Sequence, residues 1–261
     1  MNSDGDKAAV LAAFAGRLDT GEAVRRAWFR AANSINSDGD RRVVLSAALE
    51  HDGDRRASLV QVLRSVASMN SDGDKRSVLT AAAAGYTGED PVRRAFFDAL
   101  NSMNSDGDRR YVLVELLERP GLTAATLADI AAAVRRMNSD GDRAHVLVSL
   151  AGYGDDSPFN AAFFDAADAM TSDGDHARVL LAVLGRPRVS TASVLDVVRS
   201  AARINSDGEK AKVFAEVAAR YSSDAGVRSA LEKALDTLHA DGEYRRIMTL
   251  LAHRGSVWRA R

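Results

Sequence analysis

The sequence predicts an all-α fold: a right-handed α-solenoid of seven two-helix repeats, closed by a single terminal helix. Three observations predict it. The string Asn-Ser-Asp-Gly-Asp begins at Asn2, Asn36, Asn70, Asn104 and Asn138, with variants from Thr171, Asn205 and Ala240. The central glycines (Gly5, Gly39, Gly73, Gly107, Gly141, Gly174, Gly208 and Gly242) lie 34 residues apart, except for one step of 33. Apolar residues follow each motif at helical spacing, and no segment alternates convincingly with period two. A fixed period of this length marks stacked helical hairpins, none of which buries its apolar face alone. The 47 alanines and four prolines tilt the chain further toward helix.

Each element has a local cause. The serine of each motif stands where a helix N-cap is expected, with an acid three residues on, as in a capping box. These pairs are Ser3 with Asp6, Ser37 with Asp40, Ser71 with Asp74, Ser105 with Asp108, Ser139 with Asp142, Ser172 with Asp175 and Ser206 with Glu209. Two acids in the first turn suit the positive end of the helix dipole. An apolar pair follows, from Val10-Leu11 through Val44-Leu45 to Ile247-Met248, giving a first helix of about 12 to 14 residues. Breakers such as Thr87-Gly88-Glu89-Asp90-Pro91, Pro120-Gly121 and Gly185-Arg186-Pro187 end it. Second helices are predicted over, for example, Val92 to Met103 and Ala124 to Met137. Each closes on Ile35, Met69, Met103, Met137, Met170 or Ile204, which is expected to pack under the next helix start. The whole chain, 1–261, reads as one repeat domain. Its units are 3–36, 37–70, 71–104, 105–138, 139–171, 172–205 and 206–239, followed by a half repeat over 240–253 and a tail over 254–261.

A second period, of 68, lies over the first. Odd repeats carry aromatic pairs in the second helix (Trp28-Phe29, Phe96-Phe97 and Phe163-Phe164), where even repeats carry mostly aliphatic residues such as Val62-Leu63 and Val197-Val198. Two roles stand open for these six aromatics: core packing, or the lining of a groove that binds a partner.

Thirty-five basic against 36 acidic residues give no reason to expect a nucleic-acid or anionic-membrane surface. No run approaches a membrane span, no signal peptide is visible, and the compartment stays unassigned. Without cysteine there is no thiolate nucleophile or cysteine zinc site. The five histidines form no pair at metal spacing, and phosphate-loop and nucleophile-elbow motifs are missing, so no enzyme, metal or cofactor is expected. The acidic motif suggests calcium. However, its glycine precedes the last acid, and position twelve counted from Asn36 is Ala47 rather than glutamate. The favoured reading is capping plus a charge ladder. A base follows the last acid at Lys7, Arg41, Lys75, Arg109, Arg143 and Lys210, and His176 and Tyr244 fill the remaining two places. These charges are expected to alternate along an exposed edge, as surface pairs of about 0 to 1 kcal/mol each. Arg25-Arg26, Arg93-Arg94 and Arg135-Arg136, with Arg254, Arg259 and Arg261 of the tail, read as a solvated face.

The 34-residue hairpin is TPR-like and HEAT-like in size, but it lacks the tryptophan, glycine-tyrosine and closing proline of tetratricopeptide repeats. The string Ile/Met-Asn-Ser-Asp-Gly-Asp-Lys/Arg-x-x-Val-Leu resembles helical repeats in the C-terminal regions of some BlaR-related sensor metallopeptidases. That resemblance implies an extracytoplasmic sensing or interaction region. The zinc motif and membrane helices of those proteins are absent here, so no protease activity carries over. The uniformity of the units also fits recent amplification or consensus engineering. The expected function is a non-enzymatic scaffold for a protein or peptide partner. The alternatives are a calcium-binding array and a structural or self-assembling spacer.

Overall fold

The computed structural model describes residues 3–51, 55–154 and 157–257. The described residues form α-helices joined by short connections, without a strand. Helix packing divides the chain into two units, Met1–Thr126 and Leu127–Arg261, with the boundary inside one helix, α8 (Ala124–Arg135).

The first unit alternates first and second helices. They are α1 (Asp4–Phe14), α2 (Glu22–Asn33), α3 (Asp38–His51), α4 (Arg55–Ala67), α5 (Asp72–Ala83), α6 (Asp90–Asn101) and α7 (Asp106–Leu117). First helices pack on first helices (α1 on α3, α3 on α5, α5 on α7), and second helices likewise (α2 on α4, α4 on α6). The two layers meet over a core of Val44, Leu45, Val78, Leu79, Val112 and Leu113 from the first helices, with Val62, Leu63, Phe96 and Leu100 from the second. Fully burying each such side chain contributes about 1.5–3 kcal/mol. Ile35, Met69 and Met103, which close the second helices, are buried.

The second unit repeats the pattern with α9 (Asp140–Leu150), α10 (Ser157–Asp168), α11 (Asp173–Leu184), α12 (Thr191–Ala201), α13 (Asp207–Tyr221), α14 (Ala225–Ala234) and α15 (Asp241–Val257). Here α9, α11, α13 and α15 stack in order, with α10, α12 and α14 beside them. The last helix runs a turn beyond the predicted His253. Sequence patterning also missed the 3-10 turns at Ala15–Thr20, Ala151–Tyr153 and Leu235–Thr237. At Gly121, after Pro120, φ is 76°, a left-handed conformation that a β-carbon would strain, and the chain turns there toward α8. Among the described residues, no helix is long and apolar enough to cross a membrane.

Candidate functional site

The repeated motif is rich in polar side chains, and its atoms join one repeat to the next. The serine caps as predicted. Oγ of Ser3, Ser37, Ser71, Ser105, Ser139, Ser172 and Ser206 accepts from the backbone N–H of Asp6, Asp40, Asp74, Asp108, Asp142, Asp175 and Glu209, at 3.1–3.4 Å. Such a cap stabilises its helix by about 1 kcal/mol.

The other half of the capping box differs from expectation. The N–H of the capping serine goes to the first helical aspartate of the preceding repeat. Asp72 Oδ2 accepts from Asn104 N–H at 2.8 Å and Ser105 N–H at 2.7 Å. Asp4 holds Asn36 and Ser37 in the same way, and Asp38 holds Asn70 and Ser71. In the second unit Asp140 holds Thr171 and Ser172, Asp173 holds Asn205 and Ser206, and Asp207 holds His239 and Ala240. The geometry is sound chemistry, because a carboxylate placed against two helix-terminal donors satisfies both and meets the positive dipole end. For Asp140, burial pushes the carboxyl up. The Thr171 hydroxyl, the Ser172 and Thr171 N–H groups and nearby Arg143 outweigh it, and the pKa falls below its ordinary value.

The expected exposed ladder is corrected more strongly. Arg41, Lys75, His176 and Lys210 are buried. Lys75 Nζ donates to Ser102 O at 2.8 Å, Lys210 Nζ to Thr237 O at 2.7 Å and Arg143 Nη1 to Ala169 O at 2.8 Å. Those carbonyls end the second helix of the same repeat, where a cation meets the negative dipole end. Arg41, Arg109 and Arg143 also hold the carbonyls of Ile35, Met103 and Met137. A buried cation needs a counter-charge, and the first helical aspartate provides it, at 3.1 Å for Arg109–Asp106 and 3.8 Å for Lys75–Asp72. A cross-repeat ladder does exist one residue later, where Arg42 pairs with Asp74 and Arg76 with Asp108, both at 2.8 Å. The motif is therefore a latch: serine caps the first helix, aspartate ties the next repeat, and the base closes the second helix. These carboxylates are already engaged, and among the described residues no group of three or more acids or histidines converges as a metal site.

One cluster was not legible in the sequence. Ser200 Oγ donates to Asp168 Oδ1, and His176 Nε2 lies 2.8 Å from the same hydroxyl. Arg203 approaches the other carboxylate oxygen at 3.1 Å. The residue types are those of an acyl-transfer triad, but here one carboxylate oxygen meets both partners: Ser200 Oγ donates to it directly and His176 Nε2 lies 3.6 Å from it. Both serine and histidine are buried. Burial raises the Asp168 carboxyl, and the hydrogen bonds from His176 and Ser200 with the charge of Arg203 bring it below its ordinary value. Four repeats earlier Ser65 donates to Asn33 in the same manner, which marks a packing contact between second helices.

Of the six aromatics, Trp28, Phe29, Phe96, Phe97 and Phe163 are buried and Phe164 is half-buried. Each pair packs edge to face, with ring centroids 4.9, 5.8 and 5.4 Å apart. Trp28 Nε1 donates to Leu11 O at 2.9 Å, fixing α2 on α1. Most of their surface is spent on the core, and of the first pair Phe29 also lines a cleft.

Two accessible concavities of the first unit lie between successive second helices. A cleft of about 820 Å3 separates α2 from α4, lined by Glu22, Arg25, Arg26, Phe29 and Arg30 with Gln61 opposite. The next, of about 510 Å3, lies between α4 and α6, with Arg64 and Ala67 facing Asp90, Arg94 and Asp98. Arg30 and Arg64 are one period apart, and Arg26 and Arg94 are two. Within the second helices sequence reading had treated Arg25-Arg26 and Arg93-Arg94 as a solvated face. Arg25, Arg26 and Arg94 also wall these clefts, with Arg26 and Arg94 exposed, a role visible only once α2, α4 and α6 are placed side by side. Arg259 and Arg261 lie outside the described residues.

No family model matches the chain, and comparison with curated proteins and with solved structures returned no match.

Proposed function

We propose that the chain is a non-enzymatic helical-repeat scaffold that binds an extended protein or peptide segment across its second helices. One observation carries this reading: two clefts recur on the same helix layer of the first unit, at the spacing of the repeat. Stacked repeats commonly offer such extended surfaces. The first cleft holds three arginines against one glutamate, so an acidic segment complements it. Phe29 also lines it, which gives an apolar contact beside the charges.

Fluorescence anisotropy with labelled acidic peptides, against neutral peptides of equal length, tests the proposal. Acidic peptides are expected to bind, more weakly as salt rises. Arg26→Glu with Arg30→Glu, both at exposed positions, is expected to reduce that binding by about tenfold or more, equivalent to about 1.4 kcal/mol. Equal binding of the two peptide classes, or no effect of the double charge reversal, would overturn it.

A further inference from the structure

The second helices of the first unit carry one column of charge that their own side chains leave unneutralised. Arg30, Arg64 and Asp98 occupy the same place in three successive repeats, 34 residues apart. All three are exposed, Arg30 at the α2–α4 cleft and Arg64 with Asp98 at the α4–α6 cleft. Other charges there are engaged within their own helix: Arg26 lies 3.7 Å from Glu22, and Asp90 takes Arg93 at 2.8 Å and Arg94 at 3.1 Å. Half-buried Arg25 adds to the positive sign of the first cleft. Arg30, Arg64 and Asp98 form no ion pair among the described residues. Arg64 and Asp98 line one cleft with opposite charges and still do not pair. A ligand that spans the column meets positive, positive and negative in that order.

Spacing constrains the shape of that ligand. Packed helices lie about 8–10 Å apart, so a segment crossing α2, α4 and α6 meets a new charge at about that interval. A polyproline-II segment rises about 3.1 Å per residue with three residues per turn, so every third side chain returns to the same face after about 9.3 Å. A β-strand covers that distance in about three residues too, but its period of two turns the third one to the opposite face. Apolar residues lie beside the column, Phe29 in the first cleft and Ala67, Pro91 and Ala95 in the second. They offer contact to the residues between the charged ones.

We infer that the segment bound across the second helices is a polyproline-II stretch charged at every third residue, with acids facing Arg30 and Arg64 and a base facing Asp98. This rests on the scaffold reading above and adds to it the conformation, spacing and signs of the bound segment. The base sets the partner apart from a uniformly acidic peptide. The preformed polyproline-II conformation lowers the entropy lost on binding.

Fluorescence anisotropy with labelled proline-rich peptides tests this, at about 0.15 M salt, where charges beyond about 8 Å are screened. The matching peptide carries two glutamates and then a lysine at every third position. Its controls are the same charges at every second position, and glutamate at all three positions with the spacing kept. A helix-forming peptide with the matching charges about seven residues apart, one such interval along a helix, completes the set. The matching peptide is expected to bind about fivefold tighter than each of the others. Asp98→Lys, on an exposed side chain, should reverse the order of the matching and three-glutamate peptides. Equal binding of all four peptides, unchanged by Asp98→Lys, would overturn this inference and leave the acidic-segment reading standing. Tightest binding of the helical peptide would do the same. Failure of every acidic peptide to bind would overturn both.

Discussion

Asp140 and Asp168 show how much a single carboxylate does in this chain. Each is drawn below its ordinary pKa because hydrogen bonds and nearby cations outweigh the cost of burial. A carboxyl whose folded pKa is depressed stabilises the fold above its unfolded value, near pH 4, and that stability is lost as pH falls through the folded value. Denaturant unfolding at decreasing pH should therefore show stability declining below about pH 4, and Asp140→Asn should flatten that acid limb. Stability that stays level or rises on acidification would contradict the assignment. The residue scale also holds the least legible features. A lysine such as Lys75 reads in sequence as a solvated charge, and only the nearby Asp72 and the Ser102 carbonyl make its burial tolerable. The motif glycines are the converse case. A β-carbon at Gly73 or Gly141 would meet nothing within 4 Å, and neither has a left-handed backbone. Their recurrence has no steric or conformational account.

Single helices were largely legible because their causes are local. Serine caps, dipole-matched acids and the apolar pair act within one or two turns, so the starts of α5, α7, α9 and α11 lie where Ser71, Ser105, Ser139 and Ser172 place them. Which face of a second helix meets solvent depends on its neighbours. The aromatic pairs could therefore stand as core or as groove lining until the helices were placed. Phe96 is the clearest resolution: fully buried, it packs edge to face with Tyr86 at 5.3 Å and Phe97 at 5.8 Å. Phe96→Ala should cost about 3–5 kcal/mol in urea unfolding, with a smaller loss for half-buried Phe164→Ala. Equal, small losses at both would remove Phe96 from the core. The clefts were hidden for a related reason: Arg30 and Gln61 share a cleft only through the packing of α2 on α4.

On the scale of the molecule, the near balance of charge in the opening composition has a structural origin. Each repeat contributes acids that tie the next repeat and a base that closes its own second helix, so charge is consumed at junctions as well as displayed on the surface. A chain built this way depends on nearest-neighbour contacts rather than on one central core. The most direct test of the latch is Asp72→Ala in the intact chain, with urea unfolding and amide exchange measured together. The substitution removes the acceptor of the Asn104 and Ser105 N–H groups and the counter-charge of buried Lys75. The expected result is a loss of about 2–4 kcal/mol with faster exchange at the Asn104 and Ser105 amides. A change within about 0.5 kcal/mol, the range of an ordinary surface substitution, with exchange at those two amides unaltered, would contradict it.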